Sequence, residues 1–212
     1  MKTKLIACEM LRPEIEAIQK ETETNYDTIW IEPGLHSTPQ LLNGHLKEIF
    51  EQLSDCDRVL MPFGDCGGAL KNLETGDFEV ILPKVDDCLT LLLGSVEKRI
   101  KIAKEMPTFF LSLGWLKQEK NIIAGYHDMV GQYGEDMAKM LTETMYGGYR
   151  RVALIDTGIG NEKEFADYEK PLKEIFGFEK YPVQGTTAYL KKLLTGPWEE
   201  SFFRIAGPHT KL

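Results

Sequence analysis

The feature that most constrains this chain is an alternation that runs its whole length. Apolar runs of strand length are separated by amphipathic stretches of helical period. Residues 5–10, 28–31, 58–62, 79–82, 108–113, 151–156, 179–183 and 202–205 read as strands. Residues 13–22, 39–53, 67–73, 87–104, 127–145, 162–176 and 186–194 read as helices. Pro13 and Pro39 suit a first helical turn, where a missing N–H costs nothing, and Gly147-Gly148 and Gly177 suit helix stops. Strand and helix in turn predict an α/β fold, a mostly parallel sheet or sheets with helices on both faces. Eight strands fit one sheet or two Rossmann-like lobes with a cleft between them. The turn-rich stretch after residue 114 sets the expected boundary, giving an N-terminal α/β lobe of residues 1–114 and a C-terminal α/β lobe of residues 115–212.

Charge and cysteine usage narrow the function classes. Lys and Arg number 25 against 33 Asp and Glu, a formal charge of -8 that repels nucleic-acid backbones and anionic membranes. The densest basic group, Lys98, Arg99, Lys101 and Lys104, reads as the solvated face of one helix. No apolar window approaches the roughly 18 residues of a membrane span. Leu5-Ile6-Ala7 runs straight into Cys8, Glu9 and Arg12, unlike a signal-peptide core, so a cytoplasmic location is expected. Four cysteines in 212 residues do not make a disulfide framework; they read as buried fillers, metal ligands or reactive thiols.

Ligands of open α/β sheets bind beyond the carboxyl ends of the strands, so the residues on which each strand exits matter most. The first strand exits through Cys8-Glu9 and the second through Glu32-Pro33-Gly34-Leu35-His36. The third exits through Gly64-Asp65-Cys66-Gly67-Gly68 and the fourth through Asp86-Asp87-Cys88. Cys8, His36, Cys66 and Cys88 are thereby expected at one edge, a tetrahedral donor set suited to zinc, with iron as the alternative. No C-x-x-C pair is present, which favours a site assembled by the fold, with an open coordination position, over a structural zinc knuckle. Each cysteine by itself also reads as a small hydrophobe in a tight turn. Cys56 precedes the third strand and belongs at the opposite end. Helix starts expected at Cys66 and Cys88 would favour the thiolates.

Around these donors, Gly67 and Gly68 would let the backbone approach a ligand closely. Asp65 and Asp87 are candidates for proton transfer, for support of the donors, or for plain helix capping. Glu9 is a further ligand or base, or a solvated residue. Trp115, beside Gly114 at the end of the fifth strand, would supply an aromatic wall or simply pack in the core. Other patterns are decoys. Asp156-Thr157-Gly158 matches aspartic proteases but leaves a strand of an α/β alternation, and Gly158-Ile159-Gly160 lacks the full dinucleotide fingerprint, so no nucleotide cofactor is expected. His45, His127 and His209 have no partners at metal-ligand spacing.

Several of these segments resemble a known family. They are Ala7-Cys8-Glu9, Gly34-Leu35-His36-x-x-Pro39, Phe63-Gly64-x-Cys66-Gly67, Asp86-Asp87-Cys88-x-x-x-Leu92-Leu93-Gly94-Ser95 and Gly114-Trp115. Ile155-Asp156-Thr157-Gly158 and Leu193-Leu194-x-Gly196-x-Trp198 extend the likeness over nearly the whole chain. The resemblance is to an uncharacterised domain-of-unknown-function family of anaerobic bacteria and archaea, often encoded near corrinoid-dependent methyltransferases. It implies Cys8, His36, Cys66 and Cys88 as site residues and a supporting or catalytic role in methyl-group or corrinoid metabolism. The partner would be a small-molecule substrate or a methyltransferase or corrinoid protein, and a homodimer is compatible. Pro208-His209 stands where the family pattern ends in proline–glycine. Two other readings stay open: a non-catalytic module that binds or delivers a small molecule or metal, and a thiol redox enzyme.

Overall fold

The computed structural model describes residues 1–160 and 162–212 and has an α/β fold built on two sheets. In the first, β1 (Thr3–Cys8) lies between β2 (Asp27–Ile31) and β3 (Arg58–Leu60), and β3 pairs with β4 (Glu79–Pro83), all in parallel. In the second, β5 (Thr108–Ser112), β6 (Arg151–Asp156) and β7 (Glu179–Gln184) are parallel with β6 central. The last strand, β8 (Phe203–Ala206), returns to the first sheet and pairs antiparallel with β4. Position 114 therefore falls between β5 and its two partners, and the two sheets do not divide the chain at one point.

The helices are α1 (Arg12–Thr22), α2 (Pro39–Gln52), α3 (Cys88–Leu93), α4 (Val96–Glu105), α5 (Leu113–Leu116), α6 (Ile122–Tyr133), α7 (Glu135–Tyr146), α8 (Glu162–Phe176) and α9 (Ala188–Thr195). Pro13 and Pro39 sit in the first turns of α1 and α2 as expected. Three expectations need correction. The helix expected over 87–104 is two, because Gly94 takes a φ of 77° and Ser95 caps α4 by accepting from the Lys98 N–H. The one over 127–145 is also two, broken at Gly134 with a φ of 80°, which places His127 inside α6. No helix forms over residues 67–73, where turns run to residue 72.

The faces of β6 show how the sheets are joined. Ala153 and Ile155 enter the large core around β1, β3 and β4, whereas Val152 and Leu154 enter a smaller core with Leu113, Phe165 and Phe178. This period-two alternation is that of a strand covered on both sides. A second join lies at the carboxyl ends of the strands, where α5 packs on the short 3-10 turn Glu9–Leu11 that follows β1. There a Cβ on Gly114 would lie 1.7 Å from the Met10 carbonyl oxygen, so only glycine fits. No helix among the described residues is long and apolar enough to cross a membrane.

Candidate functional site at the sheet switch point

The chain leaves β1 toward β2 on one side and returns to β3 on the other. That reversal opens a crevice at the carboxyl ends of β1 and β3, the place where open α/β sheets bind ligands. Cys8 is the last residue of β1 and Cys66 lies in the turn after β3. Cys88 is the first residue of α3, after β4. The Cys66 and Cys88 segments are registered by their backbones: the Asp65 N–H donates to the Val85 carbonyl at 3.2 Å and the Cys66 N–H to that of Asp86, also at 3.2 Å. Gly64 allows this, since a Cβ there would meet the Asp87 backbone at 2.4 Å. Cys66 itself has a φ of 45°, followed by Gly67 at 70° and Gly68 at 85°. Holding an L-residue in that region costs about 1 kcal/mol, which the two backbone bonds offset.

The three thiols lie close enough to act on one another. Burial pushes the Cys8 thiol up to about 12, with smaller contributions from Cys66 and Glu9, while the Met10 amide opposes them. Burial also pushes Cys66 up to about 11, aided by Asp87. Cys88 is raised well above the ordinary thiol value, by burial first and then by Cys8, Cys66 and Asp87. The expected thiolate stabilisation at helix starts is therefore corrected: Cys66 opens no helix, Cys88 opens one of six residues, and desolvation wins at both. No disulfide joins the cysteines. Among the described residues, no group of three or more His, Cys, Asp or Glu side chains is closed into a metal-holding arrangement. The thiols converge without surrounding a common point.

The other candidates take distinct places. His36 is exposed on the short helical turn Pro33–Ser37, and its Nδ1 donates to the Pro33 carbonyl. A carbonyl only accepts, so the neutral ring keeps its lone pair on Nε2. The edge of Trp115 meets the His36 ring at 4.9 Å between centroids, so α5 does bring an aromatic residue to this edge. Asp87 is engaged on both oxygens. Its Oδ1 caps α3 by accepting from the Thr90 N–H and hydroxyl at 2.9 Å, and its Oδ2 pairs with Arg99 at 2.6 Å. Asp65 is exposed and lines a cleft of about 530 Å³ together with Gly68, Lys84, Asp86 and Arg204. Glu9 pairs with Arg12 at 2.7 Å. Cys56 lies among Lys2, Lys4, Asp55 and Asp57 before β3, away from the other cysteines. A larger cleft of about 620 Å³ lies between α8 and the β6–β7 strands, lined by Leu172, Lys173 and Phe178, and contains none of the candidate residues.

Two residues at this seam escaped the sequence reading. Met10 is fully buried, and its Sδ receives the Cys88 thiol at 3.2 Å. Glu14 on α1 is 1% exposed; its Oε1 accepts from the Thr157 hydroxyl at 3.0 Å, and its Oε2 has no hydrogen-bond partner. A signal for Glu14 was present, because Leu11, Glu14, Ile15 and Ile18 share one helical stripe and the rest of it is apolar core. Thr157 belongs to the discounted Asp156-Thr157-Gly158, in which Asp156 Oδ1 accepts from the Gly158 N–H at 2.8 Å, a local turn.

Comparison with known proteins gives one match. The family described as Protein of unknown function (DUF1638) matches residues 30–194, which includes His36, Cys66, Cys88 and Trp115. No curated protein and no solved structure was found to match the chain.

Proposed function

We propose that this chain, which belongs to the DUF1638 family of proteins of unknown function, binds a thiophilic metal ion through Cys8, Cys66 and Cys88. One observation carries the reading: thiols from three separate strand exits come near one another, Cys8 buried and Cys66 and Cys88 half-buried, with Cys66 acting on Cys8 and both acting on Cys88. Such thiols keep their protons at neutral pH, and a bound cation would take the place of those protons. The donors are sulfur, which suits zinc, iron or another thiophilic ion. His36, on the exposed turn after β2, is a further candidate donor through Nε2. When bound, such an ion would supply a Lewis acid and an activated thiolate.

The protein's own groups divide the remaining work. Gly67 and Gly68 leave the rim of the crevice free of side chains, and Trp115 backs His36. Asp65, exposed beside Cys66, is the group in reach of solvent for proton exchange, while Asp87 fixes the start of α3 and thereby Cys88. A small-molecule substrate and a role in methyl-group or corrinoid metabolism extend this proposal; their support is the family resemblance in the sequence. The raised thiol values speak against a thiol redox enzyme, whose attacking sulfur must be a thiolate.

Elemental analysis of protein purified without oxygen and without a metal-affinity column tests the reading. About one equivalent of a thiophilic metal per chain, lost in Cys66→Ser and retained in Cys56→Ser, is the expected result. Metal-free protein, or equal content in both variants, overturns it.

A further inference from the structure

Past the carboxyl end of β4, residues 84–86 have chain on both sides. On one side the Lys84 N–H donates to the Phe202 carbonyl at 2.8 Å, which continues the pairing with β8. On the other, the Asp65 and Cys66 N–H groups donate to the Val85 and Asp86 carbonyls. The cleft of about 530 Å³ is built on this junction, and none of the cysteines lines it. Its volume is that of a small-molecule pocket, and Leu70, Leu82 and Val85 give it an apolar lining. Five charged side chains also line it: Asp65, Asp86, Lys71, Lys84 and Arg204. Among the described residues, none of the five takes part in an ion pair.

Two of the cations are tethered without being neutralised. The Lys84 ammonium donates to the Glu200 carbonyl at 2.5 Å, and Arg204 Nη2 donates to the Lys211 carbonyl at 3.0 Å. Both acceptors are neutral, so each bond orients its charge and leaves the charge whole. Arg204 stands opposite Leu82 in the antiparallel register, which puts the guanidinium on the same face of the sheet as this apolar residue. The acids enter from the other flank. In the order β3-β4-β8, Asp65 belongs to the side of β3 and Arg204 to that of β8, about 10 Å apart at ordinary strand spacing. A plain anion would face the unpaired Asp65 and Asp86, and a plain cation would face Lys71, Lys84 and Arg204. A short apolar molecule that carries both charges satisfies both sets.

We infer that this cleft binds a zwitterion of the α-amino-acid class with an apolar side chain, its carboxylate taken by Arg204 and Lys84 and its ammonium by Asp65 and Asp86. The inference needs no metal at the thiols and stands apart from that reading. Calorimetric titration of the full chain with valine, leucine, methionine and phenylalanine tests it, followed by the deaminated and decarboxylated analogues of the tightest binder. The expected result is saturable binding of one amino acid per chain, with each analogue weaker by about tenfold or more. Arg204→Gln and Asp86→Asn are each expected to weaken the amino acid about tenfold, whereas Lys139→Gln, on α7 and outside the cleft, leaves it unchanged. Should Arg204→Gln not fold, Lys84→Gln takes its place. Binding of none of the four amino acids overturns the inference. A deaminated analogue as tight as its parent reduces the cleft to an anion site and overturns it too, as does full affinity in both Arg204→Gln and Lys84→Gln, which would place the amino acid elsewhere.

Discussion

Glu14 occupies a place on α1 where a leucine would complete the apolar stripe, and the chain keeps a carboxyl there at a cost. Burial raises it from the ordinary 4.5 to about 7, against small opposing pulls from its own backbone amide, the Thr157 hydroxyl and Lys117. Lys117 is itself paired with Glu164 at 2.5 Å, so it does not neutralise Glu14. The sign follows from linkage. Below about pH 4.5 the carboxyl is protonated in folded and unfolded chains alike and contributes nothing. Between about 4.5 and 7 the unfolded chain ionises while the folded chain holds its proton, so stability falls as pH rises. Above about 7 both are ionised and the full penalty, on the order of 3 kcal/mol, is reached. Glu14→Gln removes the ionisation and keeps the shape. Urea unfolding of both proteins is expected to show little difference near pH 4 and a growing advantage for Glu14→Gln up to about pH 8. A gap independent of pH would mean that Glu14 ionises freely in the folded chain. Buried carboxyls maintained at such a cost are commonly functional, and this one bridges α1 to the residue that follows β6.

At the scale of elements, α3 is the piece whose start decides where Cys88 stands. It is six residues long, too short to persist without its cap, and Asp87 supplies that cap. Asp87→Ala is expected to cost about 1–2 kcal/mol in thermal or urea unfolding, and Asp87→Asn, which can still accept from the Thr90 N–H, clearly less. Equal losses would assign the stabilisation to the Arg99 pair instead of the cap. The same element shows what a sequence reveals and what it hides. Cys8, Cys66 and Cys88 could be placed at strand exits because apolar runs bounded by Asp, Gly and Pro mark those exits within two or three residues. The split into α3 and α4 was hidden, because the amphipathic period continues through Gly94-Ser95 and a lone glycine inside it is ambiguous. Gly134 hid the division of α6 from α7 in the same way. The turns over 67–73 resembled a helix because Ala69, Leu70 and Leu73 are buried at helical spacing, yet the left-handed run from Cys66 to Gly68 sets a different path. Nor could the return of β8 to the far edge be read from its own residues. Pattern reports which face of a strand is buried, and the neighbour is chosen by tertiary packing. Met10 and the direction of the thiol shifts were likewise inaccessible, since both depend on which side chains enclose the sulfurs.

In the whole molecule, the candidate site lies where the two sheets are joined, and the join at the carboxyl ends of the strands passes through one glycine. Gly114, the second residue of α5, lies against the carbonyl of Met10; Trp115, the next residue, reaches His36, and Thr157 reaches Glu14. A methyl group at 1.7 Å from the Met10 oxygen and 2.7 Å from its carbon cannot be absorbed by rotating a side chain, since both contacts are backbone. Gly114→Ala must therefore lift α5 from the Glu9–Leu11 turn or displace Met10 toward Cys8 and Cys88. Its expected cost is about 2–3 kcal/mol. Gly125 and Gly131 in α6 provide the contrast, for a Cβ at either meets nothing within 4 Å. There alanine is expected to be neutral or to stabilise by about 0.5–1 kcal/mol, through helix propensity and a less free unfolded chain. Urea unfolding of the three variants compares the costs, and the near-ultraviolet signal of the folded proteins reports the surroundings of Trp115. If the seam organises the crevice, Gly114→Ala alone loses stability, alters that signal and weakens metal retention together. Lost stability with retention intact would mean that the sheets can part at α5 while the thiol pocket stays whole, making the pocket a property of the first sheet alone.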